Sequence, residues 1–260
     1  MPRFTVIIPA REASTRLPGK MLADLAGKPM VVRVAEQALA SSADRVVIAT
    51  DHPDIAKAAS AHGIQVVLTR VDHPSGTDRL AEACGILGLQ DDEIIVNVQG
   101  DEPLMDPALI NEVAQTLASD SLASIATCAA PIADADHLFN PNVVKAVARR
   151  DGRAMYFSRA PIPWARDALA DGKKVLAPGL VALHHIGMYA YRAGFLRIFP
   201  TLAAGTLEQI ESLEQLRALE HGYHIALKTV AGHPGAGVDT PEDLLRVRSI
   251  FEKKEPKPCQ

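Results

Sequence analysis

The sequence has few cysteines, no long apolar run and no excess of positive charge. The three cysteines, Cys84, Cys128 and Cys259, lack the close spacing of a metal site, so reduced thiols in a reducing compartment are expected rather than a disulfide framework. No segment approaches the roughly 20 apolar residues that cross a bilayer, and the first residues lack the features of a signal peptide. These absences predict a cytoplasmic protein without a membrane partner.

The charge balance argues against a protein that binds long polyanions. The formal net charge is −4 at pH 7, which disfavours nucleic acid as a partner. Cationic residues are concentrated locally near residues 11–33, as suits a small anionic ligand. A chain of 260 residues, 48% of them hydrophobic, is long enough to bury the core of one large domain.

Short β-branched runs alternate with helical patterns through the first 130 residues, as in a sheet with crossover helices. This pattern predicts strands over Thr5–Pro9, Arg45–Thr50, Gln65–Leu68, Ile94–Val98 and Ala123–Ala129, and helices over Pro29–Ala40, His52–His62, Gly76–Leu87 and Pro107–Ala118. Later in the chain it predicts strands over Asn142–Ala148, His185–Arg192 and His224–Thr229, one long amphipathic helix over Thr206–His221, and a last helix over residues 241–253. The fold class is therefore α/β.

The loop after the first predicted strand carries three cations, Arg11, Arg16 and Lys20. The carboxyl end of a parallel strand is where open α/β sheets bind ligands, and Arg, Lys and backbone N–H groups together can hold a polyphosphate. The segment matches neither the Walker A motif nor the Rossmann glycine motif. It predicts a polyphosphate-binding loop of another type, with a solvated basic loop as the alternative.

Two carboxylates far apart in the sequence are candidate metal ligands. Asp101 follows the strand Ile94–Val98 and the turn residue Gly100, and Asp239 precedes the last helix. Mg²⁺ usually binds one or two carboxylates together with phosphate oxygens. An ordinary turn and a helix cap are the alternative interpretations, although Thr240 could serve as the cap. Beside a phosphate loop, the pair predicts a Mg²⁺ site.

Two further segments are rich in hydrogen-bonding groups. Ser75, Gly76 and Thr77 open a predicted helix, where free N–H groups can hold a base edge or a phosphate, and Arg79 one turn later can pair with an anion. Arg159 and His185 suit a carboxylate, whereas Tyr189, Glu211 and Gln215 suit sugar hydroxyls. Glu208, Glu211 and Gln215 are spaced to share one face of the long predicted helix. The alternatives are an ordinary helix cap, a solvated helix face and, for Tyr189, a place in the core.

These motifs, taken in order from about residue 4 to residue 250, resemble the 3-deoxy-manno-octulosonate (Kdo) cytidylyltransferase family, also called CMP-Kdo synthetases. The matching segments are Ile8–Arg11 with Ser14–Lys20, Asp72–Arg79, Asn97–Pro103, Tyr156–Pro161, His185–Gly187 with Tyr189–Arg192, Leu213–Glu220 and Gly237–Thr240. Glu12 and Met21 depart from the family pattern, which places the stiffness of the loop in question rather than its chemistry.

The resemblance implies a Rossmann-like nucleotidyltransferase fold, with a mostly parallel mixed sheet, helices on both faces and a dimerisation arm. Residues 1–250 would form a single domain, residues 130–200 a sugar-binding and dimerisation region, and residues 251–260 a frayed tail. The implied enzyme transfers CMP from CTP to the anomeric 2-hydroxyl of Kdo, releasing pyrophosphate and supplying CMP-Kdo for lipopolysaccharide biosynthesis. It would use Mg²⁺ and act as a homodimer.

The resemblance also assigns roles to individual residues. The catalytic residues would be Asp101, Asp239, Arg11 and Lys20, with Asp101 and Asp239 as the metal ligands. Nucleotide binding would fall to Ala10, Arg11, Lys20, Ser75, Gly76, Thr77, Arg79 and Asp101. Sugar binding would fall to Arg16, Gln99, Arg159, His185, Tyr189, Glu211 and Gln215.

Three other functions remain open from the sequence. A cytidylyltransferase for another acidic sugar, such as sialic acid or 8-amino-Kdo, would share the nucleotide motifs. A glycosyltransferase would use an Asp-x-Asp motif, which the segment Gly100–Glu102 lacks. A non-catalytic nucleotide sensor could use the same scaffold, but such a sensor would not need both Asp101 and Asp239.

Overall fold

The structure is a computed structural model that describes residues 1–12, 17–170, 172, 174–232 and 237–254. Arg16, Cys259 and most of the tail expected to be frayed lie outside these residues. The strands are β1 (Phe4–Ala10), β2 (Asp24–Leu25), β3 (Lys28–Pro29), β4 (Arg45–Thr50), β5 (Gln65–Leu68), β6 (Ile94–Asn97), β7 (Ala123–Pro131), β8 (Lys145–Ala148), β9 (Ala154–Ser158), β10 (Leu183–Arg192) and β11 (His224–Thr229). The α-helices are α1 (Met30–Leu39), α2 (Pro53–Ala61), α3 (Gly76–Ile86), α4 (Pro107–Ala118), α5 (Ala135–Phe139), α6 (Ala193–Ile198), α7 (Thr206–Glu211), α8 (Gln215–Glu220) and α9 (Pro241–Lys254).

The main sheet has the strand order β11-β7-β10-β6-β1-β4-β5, with β8 and β9 attached to β10. Strand β1 pairs in parallel with β4 and β6, whereas β10 runs antiparallel to both β6 and β7. The chain leaves β1 toward β4 and β5 and then returns to the other side of β1 as β6, so a crevice opens between the carboxyl ends of β1 and β6. The predicted mostly parallel mixed sheet is confirmed.

Two apolar cores lie on opposite faces of the sheet, because alternate side chains of a strand point to opposite faces. Val6 and Ile8 of β1 pack with residues of α1, α2, α4 and α9, while Ile7 packs with residues of α3, α6 and α8. The prediction of helices on both faces is confirmed. Within the described part of the chain, no helix combines the length and the apolar character needed to cross a membrane.

The predicted long helix over Thr206–His221 is wrong. It is two short helices, α7 and α8, because Ser212 adopts a left-handed conformation with φ 51°. Because of the break, the apolar residues of this segment do not form a single buried stripe. Leu213 and Leu216 are buried, whereas Ile210 is 76% exposed. An apolar period is a property of many residues together, so it could not indicate a helix break at one residue.

Other elements differ from the prediction in smaller ways. The strand predicted over Asn142–Ala148 begins at Lys145. The sequence pattern does not predict β9, although part of this strand lies in the matching segment Tyr156–Pro161. The short elements β2, β3, α5 and α6 were also missed. These segments are two to six residues long, too short for an apolar period to be recognised.

Cys84 and Cys128 are buried free thiols, on the two opposite core faces. Burial raises the pKa of each thiol to about 12. The thiolate is the reactive form, so at about pH 8 neither cysteine should react with a thiol-specific disulfide reagent in the native protein. In a Cys259→Ser background we expect no titratable thiol without denaturant and two after unfolding in urea. Rapid reaction of either thiol in the native state would contradict the burial.

Candidate active site

A cleft of about 310 Å³ lies at the carboxyl edge of the sheet, over β1 and β6. Its lining consists of the ends of strands and the loops that follow them: Pro9, Arg11, Lys20, Met21, His73, Pro74, Ser75, Gly76, Arg79, Gln99, Gly100, Asp101 and Asp239. Nucleotides bind at this position in open α/β sheets. The structure therefore brings together the phosphate loop, the start of α3 and both predicted metal ligands.

Lys20 lies between the two carboxylates. After Gly19, at φ 67°, a 3-10 turn over Lys20–Leu22 points the lysine into the cleft. Its Nζ donates to Asp101 Oδ2 at 2.5 Å and to Asp239 Oδ1 at 3.3 Å. Lys20 is 9% exposed, whereas the side chains of Asp101 and Asp239 are 27% and 42% exposed, so solvent screens the contact with Asp101 less than the contact with Asp239. Two carboxylates that are 138 positions apart in the sequence thus converge on one cationic group.

The loops that carry Asp101 and Asp239 are joined through their backbones. Val238 N donates to Asp101 O at 2.8 Å. A Cβ at Gly237 would lie 3.1 Å from the same carbonyl oxygen, so the close approach favours glycine there. Thr240 supplies the cap of α9, because its Oγ1 accepts from Asp243 N at 3.2 Å. The cap is therefore provided by Thr240, as the sequence had suggested it could be.

The electrostatics of this edge favour a divalent cation. Burial, together with the charges of Asp101 and Asp239, raises the pKa of the neighbouring Glu102 to about 7. The Lys20 ammonium shows where a cation is stabilised by both aspartates. Among the residues that the structure describes, no group of three or more potential ligands could hold a metal by itself. Two carboxylates fit Mg²⁺, which takes its remaining ligands from water and phosphate.

The start of α3 forms the opposite wall of the cleft. The Ser75 side chain caps the helix by accepting from Asp78 N at 3.2 Å, and Ser75 and Gly76 line the cleft. Arg79 also borders the cleft, but its guanidinium donates to Asp51 Oδ2 at 2.8 Å and to Thr69 Oγ1 at 2.5 Å. Thr77 is buried and faces away, toward Glu214. Of the four predicted residues on this helix, three border the cleft.

His185 and Tyr189 lie on β10 beside the strand that leads to the cleft. Tyr189 is opposite Asn97 of β6, two residues before Gln99. The register of β10 against β7 shifts between Ile186 and Tyr189; the two extra residues keep His185 and Tyr189 on one face, with ring centroids 5.4 Å apart. Burial raises the pKa of Tyr189 well above its usual value, so its phenol stays neutral and can donate a hydrogen bond.

Arg159 and Glu211 bind one another. Glu211 accepts from Ser158 Oγ at 2.6 Å and from Arg159 N at 2.9 Å, and Arg159 Nε donates to Glu211 O at 2.6 Å. Gln215 is buried, and its Nε2 has no hydrogen-bond partner among the described residues. The expectation that Glu208, Glu211 and Gln215 share one helix face is wrong, because α7 ends at Glu211 and Glu208 pairs with Arg217.

Several polar residues around the site were not predicted. Lys145 is fully buried and donates to the carbonyl oxygens of Asn140, Val143 and Arg159; burial lowers its pKa. Asn97 is 2% exposed, and its Oδ1 has no partner in the part of the chain that is described. For both Lys145 and Asn97, the sequence signal of a buried polar site is one polar residue in an otherwise apolar strand.

A cleft at the switch point of the sheet, lined by cationic side chains and two converging carboxylates, is typical of an α/β protein that binds a nucleotide. A family model described as cytidylyltransferase matches residues 5–227, so the chain belongs to the cytidylyltransferase family and is a nucleotidyltransferase. The predicted family resemblance is confirmed.

Individual relatives agree with this assignment. The chain is 58% identical to a 3-deoxy-manno-octulosonate cytidylyltransferase of Herminiimonas arsenicoxydans over 248 residues, which cover 95% of this chain and 98% of the relative. It is similar to the solved structure of a CMP:2-keto-3-deoxy-manno-octonic acid synthetase complexed with CTP, with a TM-score of 0.88, 39% identity and coverage of 98% of this chain and 100% of that one. A nucleotidyl transferase from Methanothermobacter, 18% identical over 97% of this chain and 99% of its own, has a TM-score of 0.59 and shares the fold.

Proposed function

We propose that this chain transfers CMP from CTP to the anomeric 2-hydroxyl of Kdo and releases pyrophosphate, making CMP-Kdo for lipopolysaccharide biosynthesis. The observation that carries the proposal is the convergence of Asp101, Asp239 and Lys20 at the switch-point cleft. The relative at 58% identity supports Kdo as the acceptor.

The nucleotide would bind along the edge of the sheet. The cytosine would lie against the backbone of Ala10 and the start of α3, where Ser75 and Gly76 border the cleft. Arg11 and Lys20 would hold the β- and γ-phosphates and stabilise the leaving pyrophosphate. The Asp51 carboxylate holds the guanidinium of Arg79 in place. Arg79 would therefore form a rigid part of the cleft wall beside the nucleotide.

Asp101 and Asp239 would hold Mg²⁺. When bound, the ion supplies charge neutralisation for the phosphates and lowers the pKa of the attacking hydroxyl. The protein's own residues orient the reactants: Gln99 and Asp101 follow β6, and Tyr189 lies on the neighbouring strand. The Kdo hydroxyl oxygen forms a bond to the α-phosphorus as the bond from that phosphorus to the β-phosphate oxygen breaks. The hydroxyl proton leaves to solvent, and pyrophosphate carries away the electron pair.

The sugar acceptor would be selected by side chains of β10 and of other segments of the chain. Arg16, Arg159 and His185 would bind the sugar carboxylate, and Tyr189, Glu211, Gln215 and Gln99 would bind its hydroxyls. Because the carboxyl oxygens of Glu211 accept from Ser158 and Arg159 N, the sugar would meet a preformed surface here.

Two wider features are also proposed. A homodimer through residues 130–200 is supported by the exposed apolar side chains of Met155, Trp164 and Val181. A cytoplasmic location is supported by the free thiols of Cys84 and Cys128. Sedimentation of the purified chain would test the dimer, which a monomer at micromolar concentration would contradict.

The substrate proposal is tested by pyrophosphate release from CTP. We expect release with Kdo and Mg²⁺, and none without a sugar or with chelator. Equal release with sialic acid would point to a different acidic-sugar cytidylyltransferase, and no release with any sugar would point to a nucleotide-binding module.

Gly100→Ala should disturb the catalytic edge. A Cβ there would lie 2.9 Å from Met21 Sδ and 3.0 Å from the Pro9 carbonyl oxygen. Met21 can move, but the Pro9 oxygen belongs to β1, so Asp101 would shift. We expect turnover to fall about tenfold to a hundredfold and unfolding stability to fall by about 1–3 kcal/mol.

Gly85→Ala is the matched control, because a Cβ at this helical position meets nothing within 4 Å. That variant should keep full turnover and be stabilised by up to about 1 kcal/mol. Equal turnover and urea midpoints for the two variants would contradict the crowding at Gly100.

A further inference from the structure

One hydrogen bond joins the first turn of α3 to the start of α8. Thr77 Oγ1 donates to Glu214 Oε2 at 2.5 Å, between residues 137 positions apart in the sequence. Thr77 is 3% exposed and Glu214 is half-buried, so water has limited access to the bond. It is a charge-assisted bond, which is stronger than one between neutral groups.

The two ends of this bond belong to different halves of the site. On one side, Thr77 directly follows Ser75 and Gly76, which line the nucleotide cleft. On the other, Glu214 lies between Glu211 and Gln215, the segment proposed to select the sugar. The segment is short: α7 ends at Glu211, and α8 begins at Gln215.

The charge of Glu214 also affects two tyrosines of β10, the strand that carries part of the proposed sugar site. Burial raises the pKa of Tyr189 and of Tyr191, and the charge of Glu214 raises both further. Within α8, Arg217 binds Glu208 of α7 at 2.6 Å and stacks on Phe199 at 4.5 Å. Helix α8 is thus tied to α7 through Arg217 and to α3 through Glu214.

We propose that the Thr77–Glu214 bond sets the position of the sugar-binding segment relative to the nucleotide wall, and that Thr77 is a positioning residue for the transfer. The inference rests on the proposed function. In-line transfer needs the attacking oxygen within about 3–3.5 Å of the α-phosphorus. The two substrates bind to separate segments, so a rigid link between those segments fixes their separation.

The test compares two substitutions at Thr77. Thr77→Val removes the hydroxyl and keeps the shape, whereas Thr77→Ser keeps the hydroxyl. For Thr77→Val we expect kcat/KM for Kdo to fall about tenfold, as for one lost bond to a charged group. The dissociation constant of CTP measured without Kdo should stay unchanged, and Thr77→Ser should restore kcat/KM. Thr116→Val, which removes a hydroxyl bonded within α4, is the control for a general effect of the substitution.

Glu214→Met gives an independent variant that keeps the side-chain length and removes both acceptor oxygens. In a double-mutant cycle, Thr77→Val combined with Glu214→Met should lose no more than the worse single variant, because both remove the same interaction. Additive losses, wild-type kinetics for Thr77→Val, or an equal loss in CTP binding alone would each overturn the positioning role. A wild-type protein that makes no pyrophosphate from CTP and Kdo would overturn the proposed function itself, so the two failures are distinguishable.

Discussion

Asp101→Asn and Asp239→Asn should each lower turnover by about a thousandfold, the factor that follows from several kcal/mol of metal-assisted stabilisation. The amide keeps the shape of each side chain but removes the charge that would bind Mg²⁺. Because both carboxylates converge on Lys20, either substitution also removes one of the two negative charges that neutralise the Lys20 ammonium. Pyrophosphate release from CTP and Kdo across a range of Mg²⁺ concentrations measures the effect.

Asp92→Asn is the matched control for these variants. Asp92 is exposed and lies in the turn before β6, at the opposite end of the strand that leads to Asp101. Its substitution should leave turnover at the wild-type value. If Asp101→Asn or Asp239→Asn kept turnover near that of Asp92→Asn at saturating Mg²⁺, the assignment of the metal ligands would be wrong.

Lys20→Met should lower turnover by about a hundredfold to a thousandfold, as for the removal of one preorganised group at the site of developing charge. Lys20→Arg should rescue little, because a planar guanidinium cannot occupy the space of a compact ammonium between two carboxylates. Lys28→Met is the control, since Lys28 pairs with Glu36 at a partly exposed position.

The Lys20→Met variant also distinguishes a structural role of Lys20 from a role in neutralising Asp101 and Asp239. Without the ammonium, Asp101 and Asp239 face each other unneutralised and should bind a divalent cation more strongly. Added Mg²⁺ should therefore raise the melting temperature of Lys20→Met by more than that of the wild type, by the linkage between binding and stability. An equal or smaller rise would mean that Lys20 does not neutralise this pair.

The sheet and its helices were largely predictable from the sequence. The strands β4, β5 and β6 lie within the predicted bounds, and β1 extends one residue beyond them at each end. The central strands β1, β4 and β6 are recognisable because parallel strands buried on both faces form continuous apolar runs. The placement of Asp101 at the same edge as Arg11 followed from the rule that carboxyl ends of parallel strands share an edge. Polar residues at strand ends are visible in the sequence without knowledge of the packing.

The second half of the site was less predictable. The break at Ser212 depends on Leu213 and Leu216 turning into the core while Glu211 reaches Ser158. Its left-handed conformation costs a non-glycine residue energy that only the tertiary contacts can offset. Periodicity reports the average apolar direction of a segment, so it cannot indicate a break at one residue.

The sequence by itself determined the family, the cationic loop after β1 and the pair of carboxylates, because these depend on residue type and order along one strand or loop. Only the tertiary structure decided that Lys20 lies between Asp101 and Asp239, that Arg79 is fixed by Asp51, and that Thr77 binds Glu214. Each of these contacts joins residues from different elements. Their distances are set by how helices and strands pack, and no local pattern in the chain encodes that geometry.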